Sequence, residues 1–136
     1  MHRSLLRYVA LFALSLVGLL VFSCASSPTP VPEDASAQKI IQLAQERYDV
    51  YDLNGAKYYY QVLLERYGSD PNYMLNAKYE IAFIEYKQGN KDKAIAGFRE
   101  IIERYNEPDA SSLSPTWKVL SEMMIEKLES NKNTKS

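Results

Sequence analysis

Apolar and polar positions follow two regimes along this chain. From Tyr8 to Phe22 the residues form a nearly continuous apolar run, whereas beyond residue 36 apolar side chains recur at the three-and-four spacing of amphipathic helices. The second regime divides into two similar stretches, residues 37 to 70 and 75 to 108, each with a break in the middle at Asp52 to Gly55 and at Gly89 to Lys91. A helix, a turn and a second helix are predicted for each. A fifth helix is predicted over Pro115 to Ser130, with Trp117, Leu120, Met124 and Leu128 on one stripe. The pattern specifies an all-α fold.

Sliding the chain against itself by 38 residues shows that the two stretches are copies. Ala44, Tyr48, Ala56, Glu65, Arg66 and Tyr67 fall on Ala82, Tyr86, Ala94, Glu103, Arg104 and Tyr105, while Tyr60 meets Phe98. Two helices of a pair approach closely only where a small side chain lets an aromatic from the partner sit against the backbone, so Ala44, Ala56, Ala82 and Ala94 are expected at the crossings with Tyr60 and Phe98. Ser69-Asp70-Pro71 and Ser114-Pro115 place capping side chains before a proline in a first helical turn, and Asn90 can cap the second helix of the second copy. Between Tyr73 and Tyr86 most of the circumference is apolar, as befits a helix buried on two sides.

The run Ile81-Ala82-x-x-x-Tyr86-x-x-Gly89-x-x-x-x-Ala94-x-x-x-Phe98, with Pro108 beyond it, resembles the tetratricopeptide repeat. The first copy departs from that pattern, with Tyr51 where the family prefers glycine and Leu53 where it prefers an aromatic. The resemblance implies a groove lined by the first helix of each pair, which receives an extended or helical protein segment. Its groove positions fall on Gln38, Ile41, Gln45, Tyr48 and Asp49 in the first copy and on Asn76, Tyr79, Phe83, Tyr86 and Lys87 in the second.

On the fifth helix Val119 and Met123 widen the apolar arc beyond the ~100° stripe that covers one neighbour. Met123 therefore either folds over the end of the core or, with Val119, forms a second interface. Tyr48, Tyr60, Tyr67, Tyr86 and Tyr105 occupy repeat-equivalent packing positions with hydroxyls reaching the hydrated edge. Neighbours on a helix diverge by ~100°, so Tyr58 and Tyr59 cannot both point inward with Tyr60, and one of them is expected to be exposed.

The N-terminal run follows Arg3 and Arg7 and ends at Ser23, before Cys24. A cationic start, a short apolar core and a small residue at the break are the parts of a secretory signal, and the run is short against the roughly 20 residues of a membrane span. Val21-Phe22-Ser23-Cys24 resembles the lipobox of bacterial lipoproteins. That resemblance implies removal of residues 1 to 23 and acylation of Cys24, with more than one chain and hence a stable membrane anchor. Residues 24 to 36, rich in Ser, Pro and Ala, are then expected as a flexible tether, 37 to 130 as the repeat domain and 131 to 136 as a disordered tail.

Without Arg3 and Arg7, 14 of the 16 basic residues remain against 17 acidic ones, which argues against nucleic acid as a partner. His2, the one histidine, leaves with the signal and the one cysteine is taken by lipid, so the usual general base and nucleophile are missing. The carboxylates are spread along helices beside Lys and Arg, and the glycines stand singly. We expect no enzyme activity, no cofactor, no metal site and no small-molecule substrate. A lipid-anchored repeat protein whose pairs end in Glu-Arg-Tyr resembles the BamD family of outer-membrane assembly lipoproteins, and Ala25 after the anchor is similar to what outer-membrane lipoproteins carry. The resemblance implies a scaffold facing the periplasm beside a β-barrel assembly protein; a general adaptor for another periplasmic or surface complex is the alternative.

Overall fold

The computed structural model describes residues 28–133; the expected signal 1–23, the expected acylation site Cys24 and the last residues of the expected tail lie outside the described residues. Among the described residues five α-helices follow one another: α1 (Ala37–Asp49), α2 (Leu53–Tyr67), α3 (Pro71–Lys87), α4 (Lys91–Arg104) and α5 (Thr116–Asn133). A short 3₁₀ turn, Ala110–Ser112, precedes α5. No strand occurs among the described residues, so the class is all-α. Helix α5 begins one residue later than expected and continues through Asn133, into the stretch expected as tail.

Each helix packs on the next, α2 lies between α1 and α3, and α4 lies between α3 and α5. Cross-helix contacts set the directions. Lys78 pairs with Glu100 at 3.6 Å and Tyr79 meets Phe98 at 5.5 Å, so α3 and α4 run antiparallel. Tyr67 at the end of α2 reaches Ala35 ahead of α1, and Gln88 at the end of α3 reaches Asn54 at the start of α2, so those pairs are antiparallel too. The crossings are built on small residues as the sequence predicts: Ala44, Ala56, Ala82 and Ala94 are buried together with Tyr60 and Phe98. At Gly97 the approach is so close that an added methyl would sit 2.9 Å from Ala82 Cβ.

The two first turns close in the same way. Tyr51 N–H donates to Tyr48 O and Asp52 N–H to Arg47 O, while Gly89 N–H donates to Tyr86 O and Asn90 N–H to Glu85 O. Both are Schellman caps, in which a residue just past the helix turns left-handed so that its own amide and the following one satisfy the last carbonyls. Asp52 then caps α2 by accepting from Gly55 N–H at 2.9 Å, and Asp70 caps α3 through Asn72 N–H at 2.8 Å. Asn90 departs from expectation. It stands at the N-cap of α4 without a side-chain cap bond and instead donates from Nδ2 to Glu85 Oε2 at 2.7 Å. Glu85 is buried and also takes the Lys57 ammonium, so a carboxylate needing several donors has drawn the amide away.

The expected tether is corrected over residues 29 to 35, which are docked. Val31 and Ala35 join the first core cluster. The Arg66 guanidinium donates to the carbonyls of Pro32 (2.6 Å) and Val31 (3.1 Å), Tyr67 OH to Ala35 O (2.9 Å) and Tyr59 OH to Thr29 O (2.9 Å). This strap explains a second correction: Tyr59 and Tyr60 are both buried and Tyr58 is half-buried, so none of the three is exposed. Helix α2 is covered by α1, by α3 and by the strap, which leaves it too few solvent-facing positions to hold a whole tyrosine.

The second Glu-Arg-Tyr copy works the same way on the loop before α5. Arg104 forks onto both carboxylate oxygens of Asp109 at 2.7 Å each, and Tyr105 OH donates to Ser114 O. In each copy the arginine and tyrosine that end a second helix hold the segment leading into a first helix. The repeated Arg-Tyr pair is a clamp.

Candidate functional site

Helices α1, α3 and α5 line one side of the molecule, joined by a row of half-exposed rings. Tyr48 of α1 meets Phe83 of α3 with centroids 6.5 Å apart, and Phe83 meets Tyr86 one turn on at 5.7 Å. Two ammonium groups sit over the row: Lys87 Nζ lies 5.6 Å from the Phe83 centroid, and Lys127 Nζ of α5 lies 5.4 Å from that of Tyr86. Such contacts hold the cations over the ring faces and keep apolar surface in a defined orientation.

Of the residues assigned to the groove from sequence, Tyr48, Tyr79, Phe83, Tyr86 and Lys87 are brought into one contact network. Tyr79 is shared with the core, since its ring stacks on Phe83 at 6.2 Å but also meets Phe98 at 5.5 Å and Trp117 at 5.4 Å. Ile41 is half-buried against the first core cluster, and Gln38, Gln45 and Asp49 stand exposed on α1. Asn76 is half-buried on α3, and its Oδ1 is enclosed without a hydrogen-bond partner among the described residues. Val119 and Met123 face outward on α5, 49% and 60% exposed, while Ser121, Met124 and Leu128 take the inner face. Met123 therefore does not fold over the end of the core.

Two participants were not assigned from sequence. Glu80 lies one turn from Asn76 and one turn from Phe83 on the same face of α3, a spacing that offered the signal. Burial raises its carboxyl above the ordinary carboxylate range. Burial first, and then the charge of Glu80, also push the Tyr60 phenol far above its usual value. Lys127 was the other, and treating the fifth helix as one more first helix would have pointed to it.

The face offers rings, amides and acceptors. Among the described residues no group of three or more His, Cys, Asp or Glu is placed to hold a metal ion, and no helix is long and apolar enough to cross a membrane. An uncharacterized protein of Treponema pallidum (strain Nichols) is 30% identical over 108 residues, a match that covers 77% of this chain and 43% of that protein. The chain thus spans less than half the length of that relative. No protein-family model and no solved structure matches the chain.

Proposed function

We propose that this chain is a membrane-anchored protein-interaction scaffold of the bacterial cell envelope, built from two tetratricopeptide-type helix pairs and a closing helix and held to lipid through Cys24. The observation that carries this reading is the ring row from Tyr48 through Phe83 to Tyr86, which crosses two first helices and reaches the third at Lys127. Its occupant is a helical or extended segment of another protein that packs apolar groups on the rings. The half-buried Glu80 and the exposed Asp49 favour a segment that also brings donors, such as a lysine or arginine side chain. The face supplies surfaces and acceptors rather than a nucleophile beside a base, so its activity is binding and not catalysis.

Participation in outer-membrane protein assembly, after the manner of the BamD family, is the specific version. The test is affinity purification of the acylated chain from detergent-extracted membranes, in parallel with Phe83→Glu. Recovery of a β-barrel assembly protein, lost in the variant, supports it. An unrelated envelope complex lost in the same variant supports the adaptor reading, and recovery unchanged by Phe83→Glu contradicts both.

A further inference from the structure

Helix α3 is packed on two sides, and each side belongs to a different core cluster. Tyr73, Ala77, Ile81 and Ile84 join the cluster of α1 and α2, whereas Leu75, Tyr79 and Ala82 join the cluster built with α4. Helix α5 is packed on one side only. Its Trp117, Met124, Ile125 and Leu128 join the α4 cluster, and Ser121 is fully buried on the same face.

One offset relates the two helices. Moving Tyr73, Ala77, Ile81 and Ile84 forward by 44 residues gives Trp117, Ser121, Ile125 and Leu128, so α5 docks on α4 by the face with which α3 docks on α2. The same offset carries Leu75, Lys78, Tyr79 and Ala82, which lie against α4, onto Val119, Glu122, Met123 and Glu126. All four are exposed. Val119 and Met123 thus stand where a first helix of this stack receives its second.

The contacts of α4 on α3 define what such a strip holds. Phe98 meets Tyr79 at 5.5 Å, Gly97 lies so close to Ala82 that an added methyl would fall 2.9 Å from its Cβ, and Glu100 pairs with Lys78 at 3.6 Å. On α5 the apolar positions remain, as Val119 and Met123, but the other two change. Glu122 stands in place of Lys78 and calls for a cation where α4 offers Glu100. Glu126 stands in place of Ala82, which keeps an approaching helix further off and leaves a carboxylate that only a donor can satisfy at an interface. Neither glutamate forms an ion pair among the described residues, whereas Glu129 is taken by Arg99 at 3.1 Å. The cations of α5 stand elsewhere: Lys127 Nζ lies 5.4 Å from the Tyr86 ring centroid, and Lys118 is half-buried one turn before Glu122. A second copy of the chain would bring the same acids to the strip again, so the charges favour a basic partner over self-association.

We propose that Val119, Glu122, Met123 and Glu126 form a second docking surface, at the end of the stack, for an α-helix of another protein that presents an apolar ridge flanked by lysine or arginine. That helix takes the place on α5 that α4 takes on α3, so the bound partner extends the stack by one helix. Position 127 corresponds to Phe83, which stays half-exposed beside α4, so the occupant leaves the ring row open.

The test incorporates a photo-crosslinking side chain at Met123 and, separately, at Val119, in cells that make the full chain, and maps the captured segment by mass spectrometry. Each position serves where the other disturbs the fold, which the thermal midpoint of the purified variant reports. The expected adduct is with a helical segment of another protein that has apolar residues three and four apart and lysine or arginine beside them. Its yield falls severalfold when Glu122→Lys and Glu126→Lys are combined, returns when the mapped basic residues are changed to glutamate, and is unchanged by Phe83→Glu. Adducts only with lipid or with a second copy, an acidic or non-helical segment, no adduct from folded protein, or a yield indifferent to the two charge reversals overturns the proposal. Loss of the adduct in Phe83→Glu assigns the contact to the ring-row partner; it overturns a separate surface and leaves the function proposed above standing.

Discussion

Tyr51 and Gly89 close the same helix cap 38 residues apart, both with positive φ, 61° and 84°. Nothing lies within 4 Å of where a Gly89 Cβ would stand, so the preference for glycine there is a matter of backbone conformation alone. Gly89→Ala is therefore expected to cost about 1 kcal/mol, the strain of an L side chain in the left-handed region. Tyr51→Asn, which tolerates that region, is expected to gain about 0.5 kcal/mol. Urea denaturation of both variants checks the pair, and a Gly89→Ala protein as stable as its parent contradicts the shared cap.

Glu85 is held ionised by two donors from other elements. The Lys57 ammonium of α2 is the largest influence, burial opposes it, and with the Asn90 amide it keeps the Glu85 carboxyl below the ordinary carboxylate range. A carboxyl whose folded pKa is depressed contributes stability above its unfolded pKa and loses it as pH falls through the folded value, so this contribution is flat at neutral pH and fades below about pH 4.5. Lys57→Met leaves the carboxylate buried against one amide, at a cost of about 1 to 3 kcal/mol at pH 7. That variant is expected to recover stability between pH 7 and pH 5, as the stranded carboxyl takes up a proton. Thermal midpoints across that range check it, and parallel curves for variant and parent contradict the pairing.

Ala94 and Met123 are predicted to respond oppositely to substitution. Ala94 is enclosed at the α3–α4 crossing, so Ala94→Leu must separate the helices and is expected to cost about 1 to 3 kcal/mol. Met123 is exposed, so Met123→Glu is expected to change stability by no more than about 0.5 kcal/mol. Calorimetric midpoints decide both, and an unfolded Met123→Glu protein would assign that side chain to the core.

The strap is fastened through carbonyls, and Tyr67 supplies one of the donors. Tyr67→Phe removes the hydrogen bond to Ala35 O while keeping the ring that packs edge-on to Tyr73 at 5.9 Å. A loss of about 1 kcal/mol is expected, with faster amide exchange confined to residues 29 to 36. Uniform acceleration across α1 and α2 would show that the strap is not a separate unit.

The helix pairs were legible because their information lies in side-chain spacing: the alanines, Tyr60 and Phe98 repeat at one offset, and they meet where small residues permit. The strap was not. Its anchoring groups are the backbone carbonyls of Thr29, Val31, Pro32 and Ala35, which every residue type offers alike, so composition suggested only a linker. The misplaced tyrosine has the same origin, because Tyr59 is covered by a segment whose docking the helical period does not encode. The Glu-Arg-Tyr triplet was visible as a match, yet its purpose became plain only when Arg66 and Arg104 were seen gripping the segments ahead of α1 and α5. The ring row was half legible, since Tyr48, Phe83 and Tyr86 stand at positions the repeat resemblance singles out, whereas Lys127 required knowing where α5 lies.

The scaffold reading is tested most directly by incorporating a photo-crosslinking side chain at Phe83, in the ring row, and at Gln61, exposed on α2 away from it, in cells that make the full acylated protein. A discrete protein adduct at Phe83 and none at Gln61 is the expected outcome. Equal adducts at both positions, or none at Phe83 while the protein remains folded and membrane-bound, would contradict a docking face on α1, α3 and α5.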